Sequence, residues 1–197
     1  MSNSISLFRS NITSIRIATS TIENIDALTT SILNVDDLYR VQIVMAISAL
    51  DHFIHEFVLE EMLEIFRGTR AITPAFNKFQ IPICLTMNSI LSDTVIVSQI
   101  RQKHSWLSFQ DPDKISDAIR LVSEKKVWEE ISPRLMLSAA EIKTKLKLIV
   151  DRRNKIAHES DLDPSYPGTK WPITIDEINQ TVNFIEDLVE AIFDIIN

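Results

Sequence analysis

Glycine is nearly absent from this chain. Among 197 residues only Gly68 and Gly168 are glycine. Tight-turn architectures need residues that accept positive φ, so this scarcity argues against them and favours long helices. A Gly-rich phosphate loop is excluded, and so is the glycine-flanked nucleophile elbow. Cysteine is scarcer still. Cys84 stands alone, which rules out a disulfide framework and suits a reducing cytosol. Beside Pro82 and Ile83 it reads as a small buried hydrophobe rather than a nucleophile. Long hydrophobic runs are missing too. The longest, residues 43–50, contains Ser48 and is far too short to cross a bilayer. The N-terminus lacks the basic region and compact apolar run of a secretory signal. A cytoplasmic protein with no membrane association is therefore expected. Positive charge is also short: the formal net charge of −7 works against indiscriminate nucleic-acid binding.

What is present is helical pattern. Hydrophobic residues make up 45% of the chain, enough for one sizeable core. Phe8, Ile12, Ile15, Ile22, Ile25 and Ile32 come close to a heptad seam. They predict one long amphipathic helix within residues 1–33, packed on the core or on a partner chain. Residues 34–197 form the main unit. Asn34 with Asp37, and Leu33 with Leu38, give a cap and a hydrophobic staple for a helix running to about Phe66. Pro74 and Pro82 make residues 68–85 irregular. Helices are predicted over about 85–106 and over about 112–124. The second opens with Asp111 as cap and Pro112 in the first turn. A short helix follows through Ile131 and ends before Pro133. Ser138 with Glu141 is a capping box, stapled by Leu137 and Ile142, for a helix reaching about His158. Thr174 with Glu177, stapled by Ile173 and Ile178, opens the last helix. No strand alternation survives. The fold class is all-α, a helical bundle with long N-terminal helices.

The helix from Ser138 ends in Arg152-Arg153-Asn154-Lys155-Ile156-Ala157-His158. It runs into a loop holding Pro164, Pro167, Pro172 and Gly168, and a loop of that length is usually functional or mobile. The stretch sets a fixed cation, an amide and a titratable imidazole within seven residues. Cleaving RNA without a metal needs those groups, because the 2′-hydroxyl can itself attack the adjacent phosphate. A proton must leave that hydroxyl, another must reach the departing 5′ oxygen, and charge must be stabilised on the phosphoryl oxygens. Histidine suits the proton transfers, and the arginine fork suits the phosphate. His158 is the candidate general acid or base and Arg153 the candidate phosphate clamp. At about 100° per residue they lie some 140° apart around a helix, whereas Asn154 and His158 share a face. Asn154 is read as orienting His158 or capping local backbone. Arg152 either binds phosphate or pairs with Glu159 or Asp161. Lys143, Lys145, Lys147, Arg152, Arg153 and Lys155 face only Asp151 in that segment. Lys147 and Lys155 are the candidate substrate-binding lysines. Basic residues near a helix C-terminus are also what the helix dipole favours.

The spacing R-x4-H from Arg153 to His158, within RRNKIAH, resembles the motif of HEPN ribonucleases. The segments YRVQIVMAISALDHFIHEFV, LIVDRRNKIAHESDLDP and residues 173–196 resemble the RiboL-PSP type of HEPN domain. The resemblance covers roughly residues 34–197. It implies an all-helical, homodimeric domain that cleaves RNA at an interface between copies. A toxin–antitoxin or phage-defence setting is implied too, with an antitoxin or other defence protein as a further partner. It implies equally that some members only dimerise or bind a partner or nucleotide. Asp51, His52, His55 and Glu56 make a second polar cluster on a largely apolar stripe. Polar groups there should be hydrogen-bonded, and Asp51 and His55 are candidates to border the site. The string is neither H-E-x-x-H nor a cysteine–histidine pattern, and no matching second cluster is evident. No metal and no cofactor are expected.

Overall fold

The computed structural model describes residues 3–29, 33–86 and 91–197. Among them there are seven α-helices. They are α1 (Asn3–Leu28), α2 (Asp36–Phe66), α3 (Asp93–His104), α4 (Pro112–Arg120), α5 (Val127–Leu135), α6 (Ala139–Glu159) and α7 (Ile175–Ile196). Two short 3-10 turns, Phe76–Lys78 and Ile83–Thr86, lie between α2 and α3.

α2 is the axis. It packs against α1, α3, α4, α6 and α7, and its buried residues run from Tyr39 to Ile65. By length and composition it is apolar enough to cross a membrane, with mean hydropathy 1.3. Most of its apolar side chains are taken up by the bundle core, while Leu38, Val41 and Met45 stay exposed. Ile5, Phe8, Ile12, Ile15 and Ile22 of α1 are buried at the predicted seam spacing, and α1 lies against α2 and α7. Ile25 is exposed, and Ile32 lies outside the described residues. Phe8, Phe53, Phe57 and Phe193 form an aromatic run through α1, α2 and α7, with centroids 5.2 to 5.8 Å apart. Burying each such ring contributes roughly 2–3 kcal/mol.

Local signals place most helix ends. Ser138 and Glu141 form the reciprocal capping box of α6, Asp111 caps α4 with Pro112 behind it, and Thr174 caps α7. Three predictions need correction. Asn34 is not the cap of α2; Val35 is, and the Asn34 side chain accepts from the Asp36 N–H. The predicted helix over 85–106 is shorter, with α3 beginning at Asp93, and residues 87–90 and the Cys84 side chain lie outside the described residues. α5 does not stop before Pro133 but carries it. A proline interior to a helix costs about 3 kcal/mol. Packing of α5 on α6 and α7, which buries Val127, Trp128 and Ile131, offsets that local cost.

Candidate functional site

α6 lies on the flank of the bundle. Only Ile142 and Leu146 of it are fully buried, so its later turns are half-open. It remains helical through Glu159, and His158 is in its last turn. The chain then takes two successive left-handed residues, Ser160 (φ 55°) and Asp161 (φ 57°). Left-handed backbone costs a non-glycine residue about 1–2 kcal/mol. Three bonds hold it: Asp161 N–H to Lys155 O at 3.0 Å, Trp171 N–H to Asp161 O at 2.9 Å, and Leu162 N–H to Glu159 O. The long loop is a small folded hairpin. Leu162 and Lys170 pair as an antiparallel bridge, and Asp163 N–H donates to Thr169 O at 2.8 Å.

Asp161 is fully buried, and its carboxylate closes a clasp. Oδ2 accepts from Arg40 Nε at 2.7 Å and from Arg152 Nη2 at 2.9 Å. Both arginines also donate to the backbone ahead of α7, Arg40 to Trp171 O and Arg152 to Pro172 O at 3.0 Å. Arg152 thus takes the second of its two expected roles. Arg40 was missed by the sequence reading, although a signal existed. It shares the α2 face of Ile43, Ile47 and Leu50, where an arginine must find a partner.

Arg153 differs. Arg9, Arg16, Arg40, Arg67, Arg70, Arg101, Arg120, Arg134 and Arg152 each meet a carboxylate. Among the described residues Arg153 is the one arginine that does not. Its Nη1 donates to Asn154 Oδ1 at 3.0 Å, and its Nε is buried without a partner. Asn154 therefore meets Arg153, and no hydrogen bond joins it to His158 among the described residues. His158 is exposed, with no hydrogen-bond partner among the described residues. Lys155 sits over the Trp171 ring at 5.7 Å.

Arg153 and Asn154, with Lys147, line one wall of a groove of about 290 Å³. Ser108, Gln110 and Lys114 line the other. The second wall belongs to the turn between α3 and α4, and Asp51 pins that turn from behind. Its carboxylate accepts the Phe109 N–H and lies 3.5 Å from Ser108 Oγ. His55 packs on Phe109, with centroids 4.5 Å apart, and on its other side lines a separate hollow with His52 and His104. Asp51 thus reaches the groove through the turn, while His55 faces away from it. His104 is buried, and burial first, then the neighbouring His55, pushes its imidazole down to about 4.

The fold is thus an all-helical bundle with α6 on its flank, clasped to the hairpin that follows it. The chain matches the family model RiboL-PSP-HEPN over residues 10–197, and it belongs to that family. No curated protein and no solved structure matches it.

Proposed function

We propose that this protein is a metal-independent HEPN endoribonuclease that cleaves RNA by 2′-hydroxyl attack. The observation that carries this reading is Arg153: a half-buried guanidinium with no carboxylate on it, five residues before an exposed imidazole. A cation left unpaired beside a groove can bind an anion without first breaking an ion pair. His158 acts as general acid or base, and Arg153 clamps the phosphate and stabilises its developing charge. One imidazole cannot serve both ends of an in-line displacement. A homodimer supplies a second His158 and a second Arg153, with the site at the interface. The setting is a cytoplasmic toxin or phage-defence component, away from membranes, with an antitoxin or defence protein as partner.

The acidic loop is less of an obstacle than its composition suggests. Of Glu159, Asp161 and Asp163, the two aspartates are buried and engaged and only Glu159 is exposed. The net charge of −7 favours the other reading, a non-catalytic HEPN module that dimerises or binds a partner or nucleotide. Purified protein incubated with mixed RNA in EDTA separates the two. Cleavage leaving 2′,3′-cyclic phosphate ends, lost in Arg153→Ala and in His158→Ala, is expected. Wild type no more active than either variant would leave the binding module.

A further inference from the structure

The groove beside Arg153 has a second wall that no motif predicts. Lys114 and Gln110 come from the α3–α4 turn and the start of α4, far from the motif in sequence, yet they line the same hollow as Lys147 and Arg153. Neither Lys114 nor Lys147 has a carboxylate partner among the described residues, whereas Lys143 on the same helix pairs with Asp113. Two acids also line the groove, Asp111 and Asp151. The Asp111 carboxylate is turned to the N-terminus of α4, where it accepts from the Asp113 N–H at 2.9 Å and the Lys114 N–H at 3.3 Å. The remaining balance favours an anion locally on a chain that is acidic elsewhere.

Helix geometry gives the groove a direction. Lys147 and His158 are eleven residues apart, close to three full turns, so they share one stripe of α6 with Asn154 between them. At about 1.5 Å rise per residue, Lys147 lies about 9 Å along the axis from Arg153 on one side, and His158 about 7.5 Å on the other. The turn that carries Ser108 and Gln110 also carries Trp106, which is 90% exposed. Cations tracking a backbone beside an exposed ring are the means by which proteins hold single strands.

We infer that this groove is a strand-binding subsite for single-stranded RNA. Lys114 and Lys147 hold a phosphodiester neighbouring the one at Arg153, Gln110 and Ser108 meet the nucleotide between, and Asp51 is the positioning residue that fixes the wall. The inference rests on the ribonuclease reading and extends it to the substrate's conformation and course.

The test is binding of a fully 2′-O-methylated RNA strand, which lacks the attacking hydroxyl, alongside cleavage kinetics of the unmodified strand. Lys114→Ala should weaken strand binding about three- to tenfold and lower the salt slope by about 0.7. It should raise KM with kcat within twofold. Asp51→Ala should do the same and Asp51→Asn should recover it, since an amide oxygen still accepts the Phe109 N–H. Lys78→Ala, an exposed lysine outside the groove, should change nothing. Unchanged KM and binding in Lys114→Ala, with cleavage still dependent on His158, would overturn the subsite alone. Equal binding of a duplex of the same sequence, or full competition by inorganic phosphate at low millimolar concentration, would overturn the single-strand assignment. Cleavage independent of His158 would instead overturn the ribonuclease reading.

Discussion

Arg152 and Arg153 are neighbours in sequence, and they serve two regions of the molecule with opposite character. Arg152 enters the clasp, where its Nη2 donates to the Asp161 carboxylate, shared with Arg40, and to the Pro172 carbonyl. Arg153 enters the groove, where only an amide oxygen meets it. The clasp is closed by ion pairs to Asp161, and it ties down the hairpin that follows His158. The groove is open, with three cations at its rim. One residue of helical rotation, about 100°, separates a side chain that holds the fold from one left available for chemistry. A basic pair at a helix end therefore carries no single meaning. Burial and partners divide it.

Exchanging roles is the sharpest way to break this comparison, and it carries the largest effect. Arg153→Ala and His158→Ala should each reduce RNA cleavage about 10²- to 10⁴-fold, with melting temperatures close to wild type. Arg152→Ala should do the reverse. Asp161→Ala is the stronger form of that change, because it leaves Arg40 buried without its main partner, and it should cost about 3–5 kcal/mol. In a domain of this length that lowers the melting temperature by roughly 6–20 °C. Thermal unfolding beside a cleavage assay reads both quantities. Loss of cleavage in Arg152→Ala with unchanged stability would place that arginine on the substrate.

The two regions differ in how far local sequence reaches them. Arg153, His158 and the box of Ser138 and Glu141 lie on one helix, so caps and spacing announce them. Asp161 was readable only as one of two partners for Arg152, because nothing local forces a non-glycine residue into the left-handed region. Arg40 was readable by its place on an apolar face, as Asp51 was, but its partner lies 121 residues away. The groove's second wall was not readable at all. Ser108, Gln110 and Lys114 face α6 only because Asp51 and the rings of His55 and His104 fix the turn that carries them. Pro133 inside α5 failed for the same reason, since tertiary packing outweighed a strong local rule.

The turn behind the groove also carries a pH dependence. His104 packs edge-on against Phe109, with centroids 5.6 Å apart, and is held neutral, with its titration lowered to about 4. The unfolded chain takes up that proton near 6.5. Its contribution is therefore fully present above about pH 6.5 and is lost as pH falls toward 4, by roughly 2 kcal/mol after allowance for solvent. His104→Phe keeps a ring against Phe109 and removes the proton. Denaturation between pH 7 and 4 should show a shallower loss in the variant. Equal slopes would mean that His104 does not couple the turn to pH.

The smallest effect tests whether α6 acts as one rigid rod between the regions. The Ser138 hydroxyl accepts from the Glu141 N–H, and the Glu141 carboxylate answers to the Ser138 N–H at 2.8 Å. Both lie at the end of α6 remote from Arg152, Arg153 and His158. Ser138→Ala should cost about 1 kcal/mol, a shift of a few degrees. Ile142 and Leu146 still anchor the helix to the core beyond the lost cap, so fraying should stop within the first turn. Cleavage should stay within twofold of wild type, and the clasp should stay intact. A larger fall in cleavage than in stability would mean that fraying reaches Lys147. The groove, unlike the clasp, would then depend on the full length of the helix.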